Sequence, residues 1–419
     1  MEFIDVGVGW SNERDSFSAG KIAAKKAFES IGEKRVVASL IFSSTQYDLK
    51  QMLEGAKSVI GGVPQIGATT KWGISNEGFH ERSVVVSVIA SDLLDFSTAA
   101  SKDASVDPFK AGRKAVEEAL GKIKTNPYSE VEDAKLIARY KPFIIFTITD
   151  TVTSTSGMHG GGVIDESILK GVCDLVDVGS SVVGGAAGED GAYKFKETFQ
   201  FCDWEVYSDS FVCGVMASKL KFGIGVRHGF RPVKGASALI TRAEKRVIHE
   251  LNGKPADEVY ASISGLDLER LKEKRPVLGL YDPIGEFYWL KACFQVKGHS
   301  LVVNAPVKEN ACVNVMETNK GDQIKSTGDS LREALTNAGG ERTPEKVAFV
   351  YIPNCTGRTN LLGEEASKQL TEVSKMVGKE TAVVGFHTYG EHGAPRNSVC
   401  GFHNLTIPTL VIMDEPIYE

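Results

Sequence analysis

The 419-residue sequence lacks the features of a nucleic-acid-binding or membrane protein. Its formal net charge is −6, whereas a nucleic-acid-binding protein needs a basic surface that displaces counterions from phosphates. No apolar run approaches the roughly 20 residues needed to span a bilayer. The first ten residues, MEFIDVGVGW, are acidic and strand-like, unlike a secretion signal. We therefore expect neither a nucleic-acid nor a membrane partner.

Cysteine is also sparse, and familiar catalytic motifs are missing. The seven cysteines are scattered and form no CxxC pair, which favours buried thiols in a reducing compartment over disulfides. A phosphate-binding P-loop, a dinucleotide-binding GxGxxG between strand and helix, and a GxSxG serine elbow are all absent. We expect a cytoplasmic protein with no cofactor and no resident metal. The apolar fraction of 42% is enough for a substantial core.

One pattern occurs three times along the chain. An apolar run ends at a glycine, small polar residues follow, the chain turns, and a second apolar run begins; we call these three turns the corners. The corners lie within residues 63–90, 181–217 and 381–413. Each is preceded by an apolar strand (36–42, 143–148 and 347–352), a polar loop (43–45, 149–162 and 353–359) and a helix (48–60, about 165–172 and about 363–377). Strand, loop, helix and strand predict a parallel βαβ crossover.

A second repeat precedes the first two crossovers. FSAGKIAAKKAFESI at 17–31 aligns without gaps with FKAGRKAVEEALGKI at 109–123, and both have the spacing of an amphipathic helix. Asp107 and Pro108 predict the start of the second helix, as an N-cap acceptor followed by proline. Residues 329–338 are the equivalent candidate in the third unit.

These patterns predict an α/β fold. Repeated βαβ-plus-hairpin units should form mixed sheets flanked by helices, with an antiparallel β insert. Short strands and turns are predicted at 276–315, after a helical segment at 247–264. The expected domains are 1–221, with units at about 1–98 and 99–221, and 222–419, with the β-rich insert at about 247–322 and the third unit at about 323–419.

The corner sequences resemble the FIST family (F-box and intracellular signal transduction), with both its N-terminal and C-terminal domains. The resemblance is carried by IGATTKWGISNEGF, VVGGAAGEDGAYKF, VVGFHTYGEHG and the later GFHNLTIPTLVIM, together with GKPADEVY and KACFQVKGHSLVVNAPV. One departure is clear: Trp72 and Gly73 stand where the first family block usually carries Gly-Glu. The resemblance implies a sensory, signal-transduction module that binds a small ligand, with amino acids or related metabolites as the expected class, and that acts with a signalling protein partner.

The three corners and the polar loops before them are expected to converge, because ligands of α/β proteins bind beyond the carboxyl ends of parallel strands. For any single residue, turn formation or helix capping is the alternative role. The candidate ligand-binding residues are Ser43, Ser44, Thr45, Thr69, Thr70, Gly185, Glu189, Asp190, Asn354, Arg358, His387, Tyr389, Glu391 and His403. We expect charge selectivity to come from the second and third corners, with the first contributing shape.

Two of these residues suggest a clamp for an amino acid zwitterion. A carboxylate at Glu391 suits an α-amino group, and the guanidinium of Arg358 suits a carboxylate. An ordinary surface ion pair is the alternative. For His403, hydrogen bonds that fix the hairpin are the alternative to ligand contact.

Two other classes of function remain open. The first is a hydrolase or transferase that uses Cys355, with His387 as base, or a cluster of His387, His392 and His403, which Glu391 or Cys400 could complete as a metal site. The second is a protein-interaction scaffold, with the β insert as its docking surface. Exposure of Phe287, Tyr288 or Trp289 would support the scaffold.

Overall fold

A computed structural model describes residues 2–125, 143–150, 161–176, 181–190, 197–273, 276–339, 343–395 and 398–417. Most of the polar loop predicted at 149–162 lies outside these residues. Within them the chain folds as three units with the same order of elements: strand, helix, strand, helix, strand, hairpin and strand.

The elements of the first unit are β1 (Asp5–Ser11), α1 (Ser16–Glu29), β2 (Val36–Ser43), α2 (Leu49–Ile60), β3 (Gln65–Thr69), β4 (Trp72–Ser75), β5 (Gly78–Glu81) and β6 (Val84–Ala90). Those of the second are β7 (Leu94–Lys102), α3 (Pro108–Lys122), β8 (Phe143–Thr149), α4 (Gly161–Leu175), β9 (Ser181–Ala186), β10 (Gln200–Cys202), β11 (Glu205–Tyr207) and β12 (Ser210–Ser218).

The third unit is interrupted after its first strand, β13 (Leu220–Arg227). The insert contains β14 (Arg231–Glu244), β15 (Val247–Leu251), β16 (Lys254–Pro255), α5 (Ala256–Ser264), α6 (Leu268–Glu273), β17 (Val277–Asp282), β18 (Phe287–Lys297), β19 (Ser300–Val303) and β20 (Cys312–Glu317). The unit resumes with α7 (Lys320–Ala338), β21 (Val347–Cys355), α8 (Thr356–Leu362), α9 (Lys368–Val377), β22 (Ala382–Thr388), β23 (Glu391–Gly393), β24 (Gly401–His403) and β25 (Ile407–Pro416).

The predicted repeat units and the antiparallel insert are confirmed, but some boundaries were wrong. The segment 247–264 is helical only from Ala256, because Val247–Leu251 pairs with β14 as the strand β15. The loop predicted at 353–359 is strand as far as Cys355 and helix from Thr356. The helix predicted at 363–377 begins at Lys368, after a 3₁₀ turn at Gly363–Glu365.

The sheets are linked by an exchange of hairpins. The described residues form three six-stranded sheets, in the orders β1-β6-β2-β3-β10-β11, β24-β23-β9-β8-β12-β7 and β13-β25-β21-β22-β4-β5. The hairpin that follows each corner therefore extends another unit's sheet. The first unit's hairpin pairs with β22, the second unit's with β3, and the third unit's with β9. Each unit thus supplies the edge of a neighbour's sheet, and the exchange closes into a ring.

The inner faces of the three sheets meet in a shared aromatic core. Phe42 of the first unit lies 4.5 Å between ring centroids from Phe386 of the third, and Phe146 of the second lies 5.4 Å from Tyr351 of the third. These four side chains are buried. The units therefore share one central core, and each unit also has a cluster of its own between its sheet and its helices.

Paired helices cover the outer faces, and the repeated glycines explain how closely they pack. A Cβ on Gly20 of α1 would lie 2.0 Å from the carbonyl oxygen of Met52 on α2, and one on Gly112 of α3 would lie 2.2 Å from that of Ile168 on α4. The glycine shared by the two aligned helix sequences is thus a close-packing residue. Asp15 and Asp107 cap these helices, because their carboxylates accept the amides of Ser18 and Lys110.

The insert forms a closed barrel. Its strands follow the order β14-β20-β17-β18-β19-β15-β16, and an additional β14–β15 pairing closes the sheet. Ile240, Leu278, Leu301 and Val313 are among the buried side chains of its core.

Candidate functional site

The three corners meet at one end of the molecule and bond to one another. The amide of Gly188 in the second corner donates to the carbonyl of Thr69 in the first, at 2.9 Å. The amide of Tyr389 in the third corner donates to the carbonyl of Ala186 in the second, at 3.2 Å. A side chain links the third corner to the first, because the hydroxyl of Thr70 accepts from the amide of His387 at 2.9 Å. We call this meeting point the junction.

Gly188 lies where all three corners approach each other. A Cβ at this position would be 3.0 Å from the carbonyl oxygen of His387, 3.5 Å from the amide nitrogen of Lys71 and 3.7 Å from the Cα of Thr70. Gly185 lies in β9, three residues before Gly188, and a Cβ there would be 2.6 Å from the Cγ2 of Thr388 in the third unit. The glycines of the second corner thus allow backbones from different units to come together.

Two of the expected hydroxyl residues reach the second corner from the loop after β2. The hydroxyls of Ser44 and Thr45 both donate to the same carboxylate oxygen of Asp190, Oδ2, and the Thr45 bond is 2.9 Å long. Oδ1 takes no part in these two bonds. Thr45 and Asp190 are partly exposed, so this carboxylate is held in place and is still open to solvent.

Lys71, which the sequence interpretation missed, is also at the junction, where its backbone nitrogen would lie 3.5 Å from a Cβ at Gly188. Its ammonium group donates to the Oδ1 of Asn360 at 3.0 Å and lies 3.6 Å from the ring centroid of Trp72. Partial burial lowers the pKa of Lys71, and the nearby charge of Glu81 opposes this shift. Because Lys71 directly follows Thr70 at the corner, its sequence position was a usable signal. The first corner therefore contributes a charge as well as shape.

His387 is fully buried and is held as a neutral ring. Its Nδ1 lies 3.0 Å from the carbonyl oxygen of Trp72, which can only accept, so Nδ1 carries the proton. Its Nε2 then accepts from the hydroxyl of Thr359 at 2.7 Å. Burial lowers the pKa of His387 to about 3. Asn354 donates to the same Thr359 hydroxyl oxygen at 3.2 Å, and its own Oδ1 is buried and has no hydrogen-bond partner among the described residues.

Glu391 is also fully buried and connects three strands. Its Oε1 accepts from Thr388 at 2.7 Å, and its Oε2 accepts from the amide and hydroxyl of Thr406 at 3.1 and 2.9 Å. Burial raises the pKa of Glu391 to about 7, although these hydrogen bonds favour the charged form. The thiol of Cys355 is a further partner.

Arg358 is fully buried as well, and its terminal nitrogens are occupied. Nη1 donates to the carbonyl of His228, the Oε1 of Gln323 and the hydroxyl of Ser326, at 3.1, 2.7 and 3.0 Å. Nη2 donates to the carbonyl of Gln323 at 2.8 Å. The surface ion pair between Arg358 and Glu391 is therefore excluded. Protein groups already fill the bonds that the proposed zwitterion clamp would use.

The other candidate residues have mainly internal contacts. The hydroxyl of Thr69 accepts from the amide of Phe199 at 2.9 Å, and that of Ser43 lies 3.4 Å from the carbonyl of Ser44. Glu189 is buried and Tyr389 is partly exposed. His403 donates from Nε2 to the carbonyl of Gly393 at 2.9 Å within the β23–β24 hairpin, far along the chain from the first two corners.

The residues of the enzyme alternative are not arranged as a reactive pair. Burial raises the pKa of the Cys355 thiol well above its ordinary value, so the nucleophilic thiolate is disfavoured. His392 bonds the hydroxyl of Thr147 at 3.0 Å, and His403 stacks on Trp289 at 4.4 Å. Within the described part of the chain, the only group of three or more potential metal-ligand atoms within 4.8 Å of one another is Asp257, Glu258 and His299. The proposed histidine cluster does not assemble there.

The aromatic residues expected for a scaffold are mostly enclosed. Phe287 is buried, and Tyr288 and Trp289 are partly buried. The exposed apolar side chains of this hairpin are at its tip, at Tyr281 and Ile284. This burial weakens the scaffold interpretation. None of the described helices is both long and apolar enough to cross a membrane.

Comparison with known proteins identifies the family. Residues 38–254 match the FIST N domain and residues 256–394 match the FIST C domain, so the chain belongs to the FIST family. FIST domains are sensory domains of signal transduction.

Individual relatives are more distant. The chain is 28% identical over 261 residues to an uncharacterized protein, MJ1623, of Methanocaldococcus jannaschii; the match covers 56% of this chain and 48% of that protein, about half its length. A solved cyanuric acid hydrolase aligns over 98% of this chain and 99% of its own, with 10% identity and a TM-score of 0.40. A second, from A. caulinodans, aligns over 98% of each chain, with 10% identity and a TM-score of 0.35.

Proposed function

We propose that this FIST protein is a sensor of a small zwitterion, an amino acid or a related metabolite, which binds at the junction. The observation that carries the proposal is a pair of partly exposed residues of opposite charge at the junction: the backbone nitrogen of Lys71 approaches Gly188, and Asp190 follows Gly188 by two residues. Lys71 supplies an ammonium group for a carboxylate, and Asp190 supplies a carboxylate for an amino group. Ser44 and Thr45 hold the carboxylate, and Asn360 holds the ammonium group.

The pair differs from the clamp expected at Arg358 and Glu391 in being open to solvent. A small solute can reach side chains that are partly exposed, whereas a fully buried pair would have to be uncovered first. Asp190 was among the expected residues, and it keeps its proposed role. Glu391 and His387 are buried beneath the third corner and fix its position. Glu391 accepts hydrogen bonds from Thr388 and Thr406, and His387 donates to the carbonyl of Trp72.

We further propose a cytoplasmic location and an output through a signalling protein partner. The seven cysteines carry free thiols, which suits a reducing compartment. Since a ligand at the junction would touch loops from three units, its binding would stiffen contacts between them. A partner protein that binds the ligand-bound conformation more tightly than the free one would transmit the signal.

A thermal-shift panel of free amino acids tests the function. A true ligand at about 100 times its Kd should stabilise the protein by about 2.7 kcal/mol. Asp190→Asn and Lys71→Met should each abolish most of this shift. The matched controls Asp92→Asn and Lys379→Met, at exposed positions after β6 and before β22 and so at the ends of those strands away from the junction, should keep it. If every amino acid leaves the melting temperature unchanged, or if both junction variants respond like the controls, the proposal is wrong.

A further inference from the structure

Two cysteine side chains from different units meet beside the exchanged hairpin of the third unit. Cys173 lies near the end of α4 in the second unit, and Cys400 directly precedes β24 in the third. Their thiols are hydrogen-bonded to each other. The fold thus brings together two thiols that are far apart in the sequence.

The contact is held by the packing of a helix against a strand. Leu169 and Val172 of α4 belong to the same buried cluster as Phe402 of β24, and Cys400 packs against that cluster. Apolar burial on both sides of the two thiols therefore fixes their separation, because neither segment can move without opening the cluster.

Both thiols are only half-buried, so a small reagent can reach them. The neighbouring residues Asp174 and Val399 are exposed, which places this contact at the surface of the molecule. Four other cysteines are buried, and they are Cys202, Cys213, Cys293 and Cys355. Cys312 is exposed on β20 of the insert, opposite Leu239 of β14.

The hydrogen bond gives the two thiols different chemical roles. It lowers the pKa of Cys173, and the same bond, together with burial, raises the pKa of Cys400. Cys173 is therefore the thiol that more readily becomes the nucleophilic thiolate, and Cys400 keeps its proton beside it. An accessible nucleophilic cysteine next to a second, resolving cysteine is the arrangement that forms disulfides under oxidation.

We propose that Cys173 and Cys400 are a redox-modification site, which forms a reversible disulfide by exchange with a low-molecular-weight disulfide such as oxidised glutathione. The Cys173 sulfur attacks one sulfur of the small disulfide, whose S–S bond breaks and releases one small thiolate. The Cys400 thiol then loses its proton and attacks the Cys173 sulfur, which expels the second small thiolate. The two protein thiols lose two electrons, and their two protons pass to the two released thiolates.

The new bond would fix the contact between two units. β24 pairs with β23, and β23 pairs with β9 of the second unit. A disulfide would add a covalent link from α4 to this same hairpin, so the third unit's edge strands could no longer leave the second unit. The inference does not rest on ligand binding at the junction.

Peptide mapping of the oxidised wild-type protein tests the site. The folded protein is incubated with oxidised glutathione, remaining thiols are blocked with N-ethylmaleimide in denaturant, and the digest is analysed by mass spectrometry. A single peptide pair that joins Cys173 to Cys400 should appear, with two of the seven thiols lost. Dithiothreitol should restore both. The proposal is overturned if both cysteines remain free, or if each carries only glutathione.

Variants assign the two roles. In Cys400→Ser, glutathione should accumulate on Cys173, because the resolving thiol is missing. In Cys173→Ser, Cys400 should stay largely unmodified. Cys312→Ser is the matched control, and it should form the same link as the wild type. Accumulation on Cys400 in Cys173→Ser to the level reached on Cys173 in Cys400→Ser would contradict the assigned order of attack.

Melting curves measure the effect on the fold. The disulfide would close a long loop of the chain, so oxidation should raise the melting temperature of wild type and Cys312→Ser by about 3–10 °C. Dithiothreitol should reverse the rise, and neither Cys173→Ser nor Cys400→Ser should show it. An equal rise in these two variants would show that the link does not fix the hairpin.

Discussion

The hydroxyl oxygen of Thr70 lies 2.9 Å from both the amide nitrogen and the carbonyl oxygen of His387. A backbone bond makes the corresponding link between the first and second corners, from Gly188 to Thr69. The side chain of Thr70 thus replaces a main-chain contact and completes the ring of corners.

Thr70→Val should therefore destabilise the protein by about 1–3 kcal/mol, because it keeps the shape and leaves the buried amide of His387 without its acceptor. Urea denaturation measures the loss. Thr371→Val, at an exposed position of α9, is the control and should change little. An equal effect of the two substitutions would mean that the Thr70 bond adds nothing.

Gly188→Ala should cost about 1–3 kcal/mol, since the added methyl must push back the carbonyl of His387. Gly121→Ala is a matched control with the opposite expectation. Nothing lies within 4 Å of a Cβ at Gly121, and alanine in a helix is favoured by about 1 kcal/mol. Chemical denaturation of both variants checks the pair. Gly188→Ala at wild-type stability would contradict the close approach of the three corners.

Glu391 should make stability fall as the pH rises. Its pKa is raised from 4.5 to about 7 by burial, so the folded state keeps a proton that the unfolded state has lost. This contribution is fully present below pH 4.5 and disappears as the pH passes about 7, at about 1.4 kcal/mol for each pH unit of that interval.

Glu391→Gln, which imitates the protonated form, should gain stability relative to wild type between about pH 5 and about pH 8. Urea midpoints across this range measure the difference. Glu364→Gln, on the surface, should follow the wild-type curve. A constant offset between Glu391→Gln and wild type would show that Glu391 does not titrate in this range.

The buried histidines have the opposite effect. Burial lowers the pKa from 6.5 to about 3 for His228, His387 and His392, and to about 4 for His80 and His403. Their stabilising contribution is present above pH 6.5 and is lost as the pH falls toward those values. They outnumber Glu391 and Asp165, whose pKa values burial raises to about 7 and about 8. The urea concentration at the midpoint of unfolding should therefore decrease when the pH is lowered from about 6.5 to about 5. An increase over this pH range would contradict burial of the rings in their neutral form.

Iodoacetamide labelling should distinguish the cysteines. Cys312 is exposed, whereas Cys355 is buried with a raised pKa. Cys312 should react first, and Cys355 should react only when the protein unfolds. Mass spectrometry of the labelled peptides measures the order. Fast labelling of Cys355 in the folded protein would restore the nucleophile alternative.

The sequence was sufficient to predict the repeated unit, because hydrophobic periodicity and glycine positions are local signals. The strand at Val36–Ser43, the cap at Asp107 and the convergence of the corners all follow from such signals. The exchange of hairpins could not be predicted, since the pairing of β10 with β3 depends on a contact 130 residues away, which leaves no local trace. The contacts of Arg358 could not be predicted for the same reason: its partner His228 precedes the insert, 130 residues earlier in the chain, and its partner Gln323 lies on α7, 35 residues earlier.

Lys71 shows a different reason for a missed residue. The family comparison drew attention to an absent acid at Trp72 and Gly73, and a lysine just before them has an ordinary surface role in most sequences. Its position directly after Thr70 placed it at the first corner, and the fold adds that its backbone nitrogen approaches Gly188 of another unit.

The ring of exchanged hairpins has a consequence for synthesis on the ribosome. β3 obtains its neighbour β10 after about 130 residues, but β9, which ends at Ala186, must wait for β23, which ends at Gly393. At about 5–20 residues per second, this interval lasts roughly 10–40 s. During that time the second sheet offers an unpaired edge to any other strand nearby. We expect the nascent chain to depend on chaperones most strongly in this interval, and fragments that end before β23 to aggregate.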